Sequence, residues 1–179
     1  MAASDFSFQD YLLYTGATDA NIYLYSTVAS GVLGVLNNEY NIYPVQESIT
    51  KTLFIDSTSF RLLATPVVSI TSLTYDGAVI DPALYTWYGE EVTLSTPITD
   101  YKKPITAVLS VGYVVIPQDL KLAIYQHIDA VIFAIQKQTD SIQKVVNSTG
   151  NTTFYRDTAI PKRVLAVYEY YSARTQVMF

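Results

Sequence analysis

His127 is the only histidine of the chain, so any histidine-dependent triad or imidazole metal cluster would have to be built on it. It falls in a run of Leu120, Ile124, His127, Ile128, Val131 and Ile135, which recur at three- and four-residue steps. An imidazole on such a stripe is expected to pack against apolar neighbours or an interface. Serines and threonines are plentiful, but none stands in a Gly-x-Ser-x-Gly elbow, so nucleophilic catalysis has no support. Glu90-Glu91, and Asp76 with Asp81, are the carboxylate pairs to weigh for acid–base work of the glycosidase kind. Adjacent strand residues point to opposite faces, so Glu90 and Glu91 do not converge on one substrate. Asp76 belongs to an Asp-Gly turn and Asp81 precedes a proline, and turn chemistry explains both. Gly31-x-x-Gly34 lacks the lysine and the preceding strand of a phosphate loop and reads as packing. There is no calcium-binding loop of the EF-hand type. Without cysteine, neither a disulfide framework nor a thiolate metal site is possible. No catalytic, cofactor-binding or metal-ligating residue is expected.

Charge and composition point elsewhere. Half of the 179 residues are apolar, and 16 of them are tyrosines, more aromatic surface than one core of this size needs. Tyrosine buries a large ring while keeping a polar tip wet, which suits surfaces that become interfaces. Only 15% of residues are charged, below the usual quarter, and a chain so sparing of charge holds surface for partners. The net charge of −5 is unevenly spread: residues 1–100 carry eleven acids against two bases, and residues 101–179 nine bases against five acids. An acidic front half argues against a nucleic-acid-binding face. Lys102-Lys103 and Lys162-Arg163 are the only basic pairs; they fit contact with acids of a partner, with DNA backbone inside a channel, or with solvent.

The elements around these residues follow from periodicity. A short helix is expected over Asp5 to Tyr14, stopped by Gly16, with Phe8, Tyr11 and Leu12 on one face. Thr18-Asp19 offers an N-cap for a longer helix from about Ala20 to Asn37, striped by Ile22, Tyr25, Ala29, Val32 and Leu36. Its charge-free stretch has the length of a membrane span, but its asparagines, serines and threonine are costly in lipid and no basic residue flanks it, so no membrane is expected. Its small residues Ala29, Ser30, Gly31 and Gly34 would let a neighbouring subunit approach closely. Ile49 to Ile55 alternates as a strand, and strands are expected at Pro66 to Tyr75, Tyr85 to Tyr88, Val92 to Leu94 and Ile105 to Tyr113, with a tight turn at Asp76-Gly77. Pro117 and Asp119 suit the start of a helix to about Lys137, with a shorter helical stretch over Ile142 to Val146. Residues 148–153 read as a polar loop whose asparagine sequons have no secretion signal to make them meaningful, since residues 1–5 lack a basic region and an apolar run. Ile160-Pro161 starts a last helix. The fold class is α+β: N-terminal helices, an inserted antiparallel β-unit of about four strands, a long helix, and a C-terminal arm with a terminal helix. The division expected is a core of residues 1–140 and an arm of 141–179.

This order of elements resembles the head–tail connector (adaptor, head-completion) family of tailed bacteriophages. Three motifs carry the likeness: Pro66-Val67-x-Ser69-Ile70, the turn Tyr75-x-Gly77, and the junction Gly112-Tyr113-x-x-x-Pro117-x-Asp119-Leu120-Lys121-x-Ala123-Ile124. The family's N-terminal plan is matched by Tyr11-Leu12-Leu13, Thr18-Asp19 and Ile22 to Leu36, and its tail by a proline-started helix ending in tyrosine and arginine. Where the family often closes the long helix with a basic residue after an aromatic, this chain has Asn38-Glu39-Tyr40-Asn41.

The resemblance implies a structural virion protein rather than an enzyme. Such a protein forms a dodecameric homo-oligomeric ring beneath the portal, extends the DNA channel, and offers a docking surface to the stopper or tail. Its partners would be the portal protein, neighbouring copies, a stopper or tail-completion protein, and passing genomic DNA bound without sequence specificity; acidic surface would help DNA slide. Its place would be the neck of the virion, after assembly in the host cytoplasm. Candidate portal-binding residues are Arg163, Tyr168, Tyr170, Tyr171, Arg174 and Phe179, and candidate subunit-packing residues are Ala29, Ser30, Gly31 and Gly34. Two alternatives stay open: a tail-completion or stopper ring protein, and a ligand- or glycan-binding enzyme of mixed fold.

Overall fold

A computed structural model of the chain describes residues 6–16, 22–146 and 160–173, with side chains of 137–146 and 173 excepted. Its elements run Phe8–Thr15 (α1), Ile22–Glu39 (α2), Glu47–Leu53 (β1), Ser59–Arg61 (β2), Val67–Tyr75 (β3), Ala78–Val79 (β4), Tyr85–Tyr88 (β5), Glu91–Leu94 (β6), Ile105–Val111 (β7), Gln118–Val146 (α3) and Lys162–Ala173 (α4). The α+β reading holds, with the helices flanking the strands in sequence. The chain separates into two compact units, one built on Leu36–Ile116 with the residues from Glu169 on, the other on Ala3–Val35 with Pro117–Tyr168.

In the β-unit a four-stranded antiparallel sheet runs in the order β1-β7-β3-β4. A three-stranded sheet, β2-β6-β5, joins its core. The strand β7 is central because both its sides are paired, with β1 in unbroken register from Glu47↔Val111 to Leu53↔Ile105 and with β3 on the other side. Its alternate residues Ile105, Ala107, Leu109 and Val111 are all fully buried, the period-2 pattern of a strand with one face in a core. The short run Ser59 to Arg61 is not legible as a strand from sequence; its Phe60 enters the same core beside Val92 and Leu94. The imperfect alternation of Pro66 to Tyr75 has a cause in β3. Register shifts between Val67 and Ser69 and between Ile70 and Ser72 insert an extra residue at each place. Val67, Ile70 and Leu73 thereby face Val111, Leu109 and Ala107, although they are spaced three apart. Asp76 and Gly77, at φ 50° and 79°, make the two-residue turn that their types demand.

Strand β7 ends at Val111, two residues short of the expected Tyr113, because Gly112 turns the chain at φ 106°. A Cβ there would fall on the Val45 carbonyl oxygen and lie 2.6 Å from Gln46 Cα. No side chain fits, which gives the glycine of the Gly-Tyr motif a physical reason.

In the helical unit Ser7 caps α1 by accepting a hydrogen bond from Asp10 N at 3.1 Å, and Gly16 closes it at φ 67°. The cap expected at Thr18-Asp19 lies outside the described residues. Tyr25, Val28, Ala29 and Val32 are the buried stripe of α2 in this unit, while Ile22 is half-exposed. The three rings of Tyr11, Tyr25 and Tyr125 form the centre, with centroids 4.7 Å apart for Tyr11–Tyr25 and 6.0 Å for Tyr11–Tyr125. Tyr11 Oη donates to Asp129 Oδ1 at 3.1 Å and Tyr25 Oη to the Phe6 carbonyl at 3.0 Å. The Tyr125 hydroxyl is buried and has no hydrogen-bond partner among the described residues. Lys121 Nζ pairs with Asp10 Oδ2 at 3.0 Å. Helix α3 runs unbroken through Val146 instead of stopping near Lys137, because no glycine or proline interrupts 118–146. The polar loop of 148–153 lies outside the described residues.

Two outcomes are expected. Gly112→Ala destabilises the fold by roughly 2–4 kcal/mol, since strain at positive φ adds to overpacking; urea titration measures it, and an unchanged midpoint contradicts the placement of Val45. Burial, with Asp129 beside Tyr11 and Asp10 near Tyr25, pushes both phenols up to about 12 from 10.0. Their folded values exceed the unfolded one, so this stabilisation is complete below pH 10 and is lost as pH rises from 10 through 12. Tyr11→Phe, which removes one of these phenols, should flatten that alkaline loss in melts followed from pH 9 to 12.

Candidate functional site

The residues that could have carried chemistry are dispersed. His127 is buried on α3, with Nδ1 3.3 Å from the Tyr168 hydroxyl, a packed imidazole as its stripe suggested. Asp76 is a turn residue bonded to Lys103 Nζ at 2.8 Å, and Asp81 caps the turn Pro82–Leu84 by accepting from Ala83 N at 2.9 Å. Glu90 lies in the β5–β6 turn, its carbonyl accepting from Leu62 N, and Glu91 pairs across the sheet with Arg61. Lys102, Lys162 and Arg163 are exposed. Among the described residues no three His, Cys, Asp or Glu side chains gather as a metal site would need, and no helix is long and apolar enough to cross a membrane.

Surface that could receive partners is more abundant. Leu13, Tyr23, Val79, Tyr88, Val114 and Val115 are each more than 70% exposed, large apolar groups of the sort that mark interaction sites when they cluster. In the β-unit an open apolar cleft of about 260 Å³ is lined by Tyr75, Ile80, Leu84, Leu94 and the 96–99 loop.

Helix α2 presents a different surface. Ser30 and Gly31 are exposed and Gly34 half-buried, and a Cβ added at either glycine meets nothing within 4 Å. Ala29 instead packs inside its own chain. The hydroxyls of Ser26, Thr27 and Ser30 donate back to the carbonyls of Ile22, Tyr23 and Ser26 at 2.9–3.0 Å. With these groups satisfied by the helix itself, the small face costs little to desolvate.

Helix α4 starts after Pro161, whose carbonyl accepts the first helical bond from Leu165 N at 2.9 Å. Val164 and Tyr168 are fully buried and Tyr171 is nearly so, with its ring 6.2 Å from Tyr113, edge to face. The aromatic surface expected from three tyrosines is therefore that of Tyr170 alone, which is 54% exposed. Residues 164, 168 and 171 form one helical stripe. Arg163 is exposed near the start of the helix, while Arg174 and Phe179 lie outside the described residues.

No protein-family model matches the chain, and no curated protein sequence does. Solved structures do. A chain in the virion of the native gene transfer agent (GTA) particle aligns over 96% of this chain and 91% of its own, with a TM-score of 0.60 and 9% identity. A chain in the neck of the empty GTA particle, computed with C6 symmetry, aligns over 95% and 90% at a TM-score of 0.60 and 10% identity. A chain in the neck of the native GTA particle, computed with C12 symmetry, aligns over 93% and 90% at 0.58 and 7%. At these identities the likeness is one of fold, and it runs almost end to end.

The burial difference within α4 sets an expectation. Tyr168→Ala removes a fully buried ring and its contact with His127 and should cost about 3–5 kcal/mol, whereas Tyr170→Ala should stay within about 0.5 kcal/mol. Thermal melts of the two variants measure this, and equal losses would contradict the orientation of the helix.

Proposed function

We propose that this protein is a head-to-tail adaptor of a tailed phage or phage-like particle. It assembles as a dodecameric ring in the neck beneath the portal, extends the DNA channel, and gives the stopper or tail its docking surface. The observation that carries the reading is the end-to-end likeness of fold to chains of GTA particles, two of them in neck structures of C6 and C12 symmetry. The connector motifs, in the same order along the sequence, support it independently. The work is assembly, not catalysis, and it takes place in the virion neck once the ring has formed in the host cytoplasm.

In this reading the small outer face of α2, at Ser30, Gly31 and Gly34, packs against a neighbouring copy, and the arm of residues 141–179 engages the portal. Arg163 and Tyr170 are the candidates of that arm whose side chains are exposed; Arg174 and Phe179 extend the same set. Aromatic and arginine side chains together make up many interface hot spots, and a guanidinium suits bidentate contact with partner carboxylates. Genomic DNA passes through the ring without being read.

Truncation must spare α4, because Val164 and Tyr168 belong to the core. Removal of 174–179, Arg163→Ala and Tyr170→Ala should each weaken attachment to the cognate portal by up to about 2 kcal/mol while leaving melting temperatures alone. Calorimetric titration against purified portal measures it, and unchanged affinity in all three would remove the arm from the interface. Gly34→Leu should leave the isolated protein as stable as before or more so, since the site is open and leucine favours helix by nearly 1 kcal/mol. It should impair ring formation seen by negative-stain microscopy; normal rings would show that this face meets only solvent.

A further inference from the structure

The strand β1 has one edge that no other described strand covers. It is seven residues long and paired with β7 alone, in a register without a bulge. Its outer side therefore presents a row of backbone donors and acceptors. Exposed edges of this kind are usually defended by proline, a bulge, short length or an outward lysine. Residues 47–53 contain no proline, and their one lysine is engaged elsewhere, with Lys51 Nζ 3.1 Å from Asn41 Oδ1 and 5.4 Å from the centre of the Tyr43 ring. Ser48, Thr50 and Thr52 line the exposed face, small and strand-compatible. A second open edge lies in the same unit. Strand β5 pairs only with β6, and along it Thr86 and Tyr88 are exposed, the latter at 92%. Because β4 pairs only with Thr74 and Tyr75, β3 is open as well over 67–72, but its two bulges guard that edge. The remaining edge strands, β2 and β4, have three and two residues and offer too little to template pairing.

We propose that the β1 edge of one copy pairs with the β5 edge of the next, continuing the sheet of each subunit into its neighbour. The occupant is a second copy because the chain itself supplies both halves of the contact. Threonines at 50 and 52 meeting Thr86 and Tyr88 would form the threonine–threonine and aromatic–β-branched cross-strand pairs that stabilise sheets. The two edges differ, so the contact is head-to-tail. A β1–β1 contact would stop at a two-fold dimer, whereas a β1–β5 contact propagates, into a closed ring when the rotation between copies closes and into a filament when it does not. The inference rests on the ring reading given above and names the bonds that would hold it laterally.

The absence of native cysteine makes a disulfide test clean. Thr50→Cys and Thr52→Cys proteins are mixed pairwise with Thr86→Cys and Tyr88→Cys proteins under mild oxidation, with particle shape followed by negative-stain microscopy. The expected result is a linked pair in at least one of the four mixtures, and a ladder of linked oligomers from the corresponding double variant. Efficient self-linking of Thr50→Cys alone, with no mixed product, overturns the proposal in favour of a β1–β1 contact. Rings without a link in any mixture overturn the pairing and leave the ring reading standing. Linked ladders that never close support the pairing and count against the ring. Wholly unlinked protein without rings overturns the pairing.

Discussion

The burial of one face of β7 is the constraint on which the β-unit depends. Ile105, Ala107, Leu109 and Val111 can all reach zero exposure only if the strand is paired on both sides and covered on one face. Strand β1 supplies one side, β3 the other, and the second sheet contributes Phe60, Val92 and Leu94 to the same core. A slip of one residue would turn all four β7 side chains outward, so register is strongly specified. The two bulges of β3 keep its own apolar residues in step with that face. Gly112 then ends the strand where the Val45 carbonyl leaves no room for a side chain.

With the strongest strand spent internally, what remains outside is unusually partner-ready. Among the described residues strand edges stay open, the outer face of α2 is small and self-satisfied in its hydrogen bonds, and several large apolar side chains stand clear of their own core. A chain with only 15% charged residues has few groups with which to keep such surface soluble. In the ring proposed above these features would become complementary, since lateral neighbours would hide edges and apolar loops from water. The paired carboxylates and the lone histidine are absorbed by turns, caps and packing, which removes the particular residues on which an enzyme reading had rested.

Much of the fold was legible where local chemistry decides it. Asp76-Gly77 needs positive φ at both positions, Gly16 closes α1 in the left-handed region, and Pro117 and Pro161 each stand immediately before a helix. Legibility failed where tertiary context decides. The bulges of β3 break the period-2 signal, Ser59–Arg61 is too short to show one, and the polar 137–141 stretch of α3 looked like a break although nothing in it prevents a helix. Tyr125, one of the largest fully buried side chains, escaped the expected stripe of α3 because the helix buries more than one side. The candidate interfaces were harder still. A face that meets a neighbour carries the same residue types as a face that meets its own core, so Ala29, Tyr168 and Tyr171 could not be told from Ser30, Gly34 and Tyr170 by sequence spacing alone.

The most direct test of the proposed role is cryo-microscopy of phage-like particles assembled with this protein present, with the chain sought throughout the density. The account predicts a twelve-fold ring directly beneath the portal, with α4 and the following residues toward the portal and the β-units in lateral contact. Density for this chain in the tail or in the capsid shell, or a neck complete without it, would contradict the account.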